Sequence, residues 1–180
     1  GSQAMYVGSG FLLRWDDQGP MVCTNAHVIS DASAIVMQVP SIGEEQFPVK
    51  VVLVNHDQDI AFVRLADEEV VQQFEQKISK DEFKPIELYD GPITQGMEVH
   101  AMGFPLGVTS MKLTTGIVSG HQSLGGWLSY QNTAQISPGN SGGPLFVAGT
   151  NKVVGINYAS LEGEGAEQNN FAVPAFRIKQ

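Results

Sequence analysis

Short apolar runs rich in β-branched residues, separated by glycine, proline and polar turns, set the rhythm of this chain. They fall near Met5–Trp15, Pro20–Asn25, Ala34–Val39, Phe47–Val54 and Ile60–Leu65. A second set follows near Glu98–Gly103, Lys112–Ser119, Trp127–Ile136, Leu145–Val147, Val153–Ala159 and Asn170–Val173. Many short strands broken by turn signals predict an all-β sandwich or barrel. One stretch departs from the pattern. Between Ala66 and Phe83 the apolar residues Val70, Phe74 and Ile78 recur every four positions, which predicts a helix with Asp67 as its N-cap. Ala26–Ile29 predicts a single helical turn.

Composition narrows the picture. The 180 residues suit one domain or two small halves sharing a core, and 42% apolar residues suffice to bury one. The net charge of −9 argues against a general nucleic-acid binder and against adsorption to anionic lipid. No apolar run approaches the roughly 18 residues of a membrane span. From Asp67 to Asp90 there are eight acids and three lysines, read as the solvated side of a linker helix rather than a docking surface. The lone cysteine, Cys23, excludes an internal disulfide and a Cys-rich zinc site. No metal motif, phosphate loop or dinucleotide fingerprint is present, so no metal and no cofactor is expected. Gly1-Ser2 reads as a cloning remnant, and no signal peptide is visible, which leaves localisation unknown.

The candidate chemistry centres on Ser137-Pro138-Gly139-Asn140-Ser141-Gly142-Gly143-Pro144-Leu145. A serine hydroxyl becomes a nucleophile only when a base removes its proton and a tight turn presents it. Flanking glycines permit that turn, and Gly139 can aim its N–H into a site. Among His27, His56, His100 and His121, His27 sits where a strand meets a helical turn, whereas His56 lies in a polar turn beside Asp57. A base needs a carboxylate to fix its tautomer. Asp59 heads an almost apolar strand; Asp57, two residues earlier, competes for the role from a wetter position. Each alone has an ordinary explanation: a Gly-rich hairpin, a packed histidine, a turn acid. Together, in the order His27, Asp59, Ser141 and each at a strand end or loop, they suggest acyl transfer.

At these motifs the sequence resembles the chymotrypsin-like serine peptidases, and within them the HtrA/Deg branch. Thr24-Asn25-Ala26-His27-Val28 is similar to the histidine motif of that branch, Asp57-Gln58-Asp59-Ile60-Ala61 to its aspartate motif, and Gly139-Asn140-Ser141-Gly142-Gly143-Pro144-Leu145 to its serine motif. Weaker similarities run through Gly8-Ser9-Gly10-Phe11, Gly103-Phe104-Pro105-Leu106-Gly107, Thr115-Gly116-Ile117-Val118-Ser119, Val154-Gly155-Ile156-Asn157 and Phe171-Ala172-Val173-Pro174. The resemblance implies two six-stranded antiparallel β-barrels with the active site in the cleft between them. The first would span about 5–66, a short acidic helix and connection about 67–95, and the second about 96–174.

By the same resemblance, His27, Asp59 and Ser141 form the catalytic triad, and the Gly139-Asn140-Ser141 backbone forms the oxyanion hole through the N–H groups of Gly139 and Ser141. The pocket for the residue before the scissile bond would be bounded by Gln135 and Ile136, by Asn157, Tyr158, Ala159 and Ser160, and by the strand starting at Asn170. None is an acid that would pair with Lys or Arg, so small or medium apolar residues are the expected preference, in unfolded or exposed protein segments. Asn170 stands where the family often has glycine, and its side chain would narrow the pocket. Nothing after Pro174 is long enough for a PDZ domain, and the loop at His121–Trp127 is short for a sensor loop, so oligomeric state is left open. HtrA-like relatives suggest a periplasmic, secreted or organellar setting.

Two other readings compete with this one. The Gly-x-Ser-x-Gly elbow of α/β-hydrolases places its acid and histidine after the serine, yet residues 142–180 contain no Asp and no His, and Pro144 opposes the helix that elbow needs. The second is an inactive or conditionally active binding or chaperone-like module on the protease fold, with its oxyanion loop collapsed.

Overall fold

The computed structural model describes residues 8–30, 32–43, 45–103, 112–124, 127–132, 134, 141–159, 170–174 and 178. The first half folds into β1 (Phe11–Asp16), β2 (Gly19–Thr24), α1 (Ala26–Ile29), β3 (Val36–Met37), a 3₁₀ turn at Pro40–Ile42, β4 (Phe47–Asn55) and β5 (Ile60–Leu65). Its strands pair antiparallel in the order β1-β2-β5-β4-β3. Register shifts between Leu12 and Arg14 in β1, and between Val51 and Leu53 in β4, sharpen the twist and curl this sheet into a half-barrel.

After α2 (Glu68–Lys77) come β6 (Glu87–Leu88), β7 (Glu98–Gly103), β8 (Lys112–Leu124), β9 (Trp127–Asn132), β10 (Pro144–Val147), β11 (Lys152–Ala159) and β12 (Asn170–Pro174). The order is β10-β7-β8-β9-β12-β11, and β10 also pairs with β11, so six antiparallel strands close into a ring. β6 adds to β11 in parallel. The architecture is mostly β and consistent with the two-barrel fold that the resemblance implies, with the second barrel six-stranded as expected and the first, among the described residues, a five-stranded half-barrel rather than six strands.

Three apolar clusters hold this together, and one decides where a site can form. Phe11, Cys23 and Ile60 from the first sheet pack with Phe146, Val153, Ile156 and Val173 from the second. Burying side chains of this size is worth about 1.5–3 kcal/mol each, so the two halves are joined by core rather than by surface contact. Burial also pushes the Cys23 thiol well above its usual range, which makes it a packing residue and not a nucleophile.

The helix follows its pattern with one difference. Asp67 caps it, its Oδ1 accepting the Val70 N–H at 2.9 Å, a cap worth about 1 kcal/mol. Val70 and Phe74 are buried against Phe47 and Leu65, with Phe47 and Phe74 edge to face. The helix stops at Lys77 rather than continuing to Phe83. Ile78 is already extended, at φ −145°, yet still buried. The apolar stripe holds, but its last member is the exit residue. Neither helix is long and apolar enough to cross a membrane among the described residues.

At the far end of β5, Arg64 holds the β1–β2 turn. Its two Nη atoms grip both Asp16 carboxylate oxygens at 2.9 and 2.8 Å, and Nη1 also donates to the Gly19 carbonyl. The guanidinium bonds, aided by the Gln18 N–H, hold the Asp16 carboxyl below its ordinary range. The strand that carries Asp59 at one end is thus anchored to the hairpin at the other.

Candidate active site

β2 ends at Thr24, and the chain turns through buried Asn25 into α1, whose second residue is His27. The β4–β5 turn at His56–Asp59 brings Asp59 back against this point. Asp59 has φ 57°, the one positive value among the described non-glycine residues. Left-handed backbone costs an L-residue about 1–2 kcal/mol, least for Asp and Asn. The conformation lets one carboxylate make two bonds to one residue. Asp59 Oδ1 accepts the His27 backbone N–H at 2.9 Å, and Oδ2 lies 2.7 Å from His27 Nδ1. A carboxylate can only accept, so this contact places the imidazole proton on Nδ1 and leaves the Nε2 lone pair available. The Asp59 side chain is 24% exposed and that of His27 48%, so the acid is sheltered behind an open imidazole. Asp57 is exposed in the same turn and does not make this contact, while Gln58 N–H bonds Asn55 Oδ1 to shape the turn. Of the two competing acids, the structure brings Asp59 to His27.

Ser141 arrives from the other half and is held from both. It begins a turn with Gly142 and is 7% exposed. Ser9 N–H donates to the Ser141 carbonyl at 2.8 Å, and the Ser9 carbonyl accepts the Thr24 hydroxyl at 2.7 Å. Through Ser9, the turn carrying Ser141 is fastened to the end of β2, three residues before His27. From its own half, Gly142 N–H donates to Asn157 O, and Asn157 N–H donates to Gly143 O. Pro144 then opens a strand, not a helix, so the geometry of a hydrolase elbow is absent.

Gly142 is glycine because of the protein's own backbone. Its φ is +90°, and a Cβ would strike the Ser9 carbonyl and the Thr24 hydroxyl. Gly142→Ala is expected to cost at least about 2 kcal/mol, combining backbone strain with displacement of that bond. Gly149 has φ +77°, and a Cβ there would meet nothing within 4 Å, so Gly149→Ala carries the backbone cost alone. Urea midpoints of the two variants check this; equal losses would show that the contact with Ser9 and Thr24 is unimportant.

Other expected site residues divide into two groups. Asn157 is fully buried, its Nδ2 donating to the Pro144 carbonyl at 3.2 Å. β11 and β12 pair Tyr158 with Phe171 and Ala159 with Asn170, which sets the backbone of these expected pocket strands side by side. Gln135, Ile136, Gly139, Asn140 and Ser160 lie outside the described residues. Ser9, Thr24 and Asn25 fall within the motifs, but residue type alone assigns them no role. Asn25 carries a signal: a cap-type residue directly before a helical turn whose side chain proves to be used elsewhere.

Residues 8–156 match the family described as trypsin-like peptidase domain. The chain is 34% identical over 177 residues to protease Do-like 1, chloroplastic, of Arabidopsis thaliana, covering 93% of this chain and 36% of that protein. It is 30% identical over 182 residues to the serine protease Do-like HtrA of Bacillus subtilis (strain 168), covering 96% and 37%. The chain therefore spans little more than a third of the length of these relatives. Among solved structures it is similar to the HtrA-type protease AlgW with decapeptide, at TM-score 0.74 and 25% identity, covering 96% of this chain and 50% of that one.

Proposed function

The chain belongs to the trypsin-like peptidase family, with HtrA/Deg proteases as homologues across its length, and from that premise we propose that it is a serine endopeptidase using Ser141, His27 and Asp59. Ser141 Oγ attacks the scissile carbonyl carbon while His27 Nε2 takes the hydroxyl proton. The tetrahedral oxyanion is stabilised by the backbone N–H groups of Gly139 and Ser141 in the Gly139-Asn140-Ser141 run. His27 returns the proton to the leaving amine as the C–N bond breaks, leaving an acyl-Ser141. Water then attacks the ester through the same proton path and frees the enzyme. Asp59 holds the imidazole in the tautomer that can accept and stabilises the imidazolium. The observation that carries this reading is the Asp59 carboxylate spanning His27 N–H and Nδ1 at 2.9 and 2.7 Å.

The substrates are peptide segments in extended, exposed or unfolded protein, cut after small or medium apolar residues such as Val, Ala or Leu. Support comes from the lack of an acid among the expected pocket residues Gln135, Ile136, Asn157, Tyr158, Ala159, Ser160 and Asn170. It also comes from a relative whose structure holds a decapeptide.

One experiment tests activity and preference on the same preparation. A fluorophosphonate is expected to add a single adduct at Ser141, absent in His27→Ala, and a denatured protein is expected to be cut mainly after Val, Ala or Leu. No adduct on the folded chain would instead favour the inactive or conditionally active binding module. Cleavage dominated by Arg or Lys would overturn the preference alone.

A further inference from the structure

The geometry points to Asn25 as a positioning residue that acts through Asp59, fixing the direction in which that carboxylate reaches His27. This inference rests on the roles proposed for Asp59 and His27. Asn25 occupies the N-cap position of α1, a place where an Asn side chain ordinarily bonds the exposed N–H groups of the first turn. Here it makes no such bond. It is wholly buried, and its Nδ2 donates at 2.9 Å to the Asp59 backbone carbonyl. The cap is supplied from another element instead, since the N–H of His27, second residue of α1, is bonded by Asp59 Oδ1. The two residues exchange duties across 34 positions of sequence. Asn25 holds the main chain of Asp59, and the Asp59 side chain caps the helical turn that Asn25 begins.

Two further observations show what this exchange is for. Asp59 stands in left-handed backbone, a conformation that surrounding contacts must hold in a non-glycine residue. Its carbonyl, Oδ1 and Oδ2 are bonded to Asn25, His27 N–H and His27 Nδ1 respectively, so residue 59 is pinned at three points by a three-residue stretch of chain. Among the described residues the other end of the Asn25 amide, the buried Oδ1, meets no donor. Turning the amide over would set Oδ1 against the Asp59 carbonyl, acceptor against acceptor. Only the orientation with Nδ2 toward residue 59 can make the bond that holds the Asp59 main chain.

A double-mutant cycle tests this, using the folded chain, an apolar-P1 peptide substrate and the rate of fluorophosphonate labelling. Asn25→Ala is expected to lower kcat and the labelling rate about 10–100-fold with KM little changed, the scale of a small misplacement of a catalytic group. In an Asp59→Ala background the same substitution is expected to have no further effect, because no carboxylate remains to be aimed. A merely structural role would subtract the same factor in both backgrounds, and that result would overturn the inference. So would wild-type kinetics in Asn25→Ala, or failure of Asn25→Ala to fold where Asp59→Ala folds, since Asn25 would then be holding more than Asp59. If wild-type chain takes no adduct, the peptidase reading itself fails; if it labels and Asn25→Ala labels equally fast, only this inference fails.

Discussion

Ser141→Ala is expected to lower kcat on a peptide substrate about a million-fold, with the fold intact and KM nearly unchanged. The size follows from what the hydroxyl alone supplies. Without Oγ there is no acyl intermediate, and His27 can only direct water at a carbonyl it was not built to hydrolyse directly. What remains, about a thousand- to ten-thousand-fold over water, would come from binding and from oxyanion donors that belong to the backbone. The fold survives because the bonds that seat the turn are main-chain bonds, Ser9 N–H to Ser141 O and Gly142 N–H to Asn157 O, and neither uses the side chain. His27→Ala is expected to cost about as much as Ser141→Ala, and the double variant no more than either, since nucleophile and base act as one unit. Steady-state kinetics with thermal midpoints for the three variants checks this. Losses that multiply, or a serine variant that retains most of its activity, would separate Ser141 from His27 and end the proposed mechanism.

Much of this was legible in the chain because its signals are local. Short apolar runs rich in β-branched residues mark the strands, Asp67 marks the start of α2, and Ala26–Ile29 marks the turn that carries His27. Elements without periodicity were not legible. β6 is two residues long and exists only because β11 offers it an edge. β8 runs on to Leu124, past the expected end at Ser119, because β9 pairs with it up to Trp127. The site divides the same way. Residue types and order suggest His27, Ser141 and one of Asp57 and Asp59, and the motif resemblance favours Asp59, but the means of assembly is non-local. No pattern in Asp57-Gln58-Asp59 announces left-handed backbone at the second acid. Nothing in Gly8-Ser9-Gly10 announces that Ser9 fastens the serine turn to β2. Nor does the Gly-rich run announce that Gly142 accommodates a close approach to Ser9 and Thr24.

Asp59→Asn is expected to lower kcat about ten-thousand-fold while leaving stability nearly unchanged. The substitution removes a charge and keeps the shape, and asparagine is, with aspartate, the side chain best tolerated in left-handed backbone. The bond from Asn25 reaches the main-chain carbonyl of residue 59, which the substitution leaves in place. The loss arises from donor and acceptor matching. Residue 59 must accept twice, from His27 N–H and from Nδ1–H, and a carboxamide offers one oxygen and one NH₂. The backbone N–H of His27 cannot become an acceptor, so the carboxamide oxygen goes to it and the NH₂ group faces the ring. Nδ1 must then accept, the proton moves to Nε2, and Nε2 can no longer take the serine proton. Asp57→Asn is the control: exposed in the same turn and away from this contact, it is expected to leave kcat within about twofold, as surface substitutions usually do. Comparable losses in both variants would mean that local charge, not the pair of bonds from Asp59, is what His27 requires. A full loss in Asp57→Asn with little change in Asp59→Asn would transfer the orienting role to the other acid.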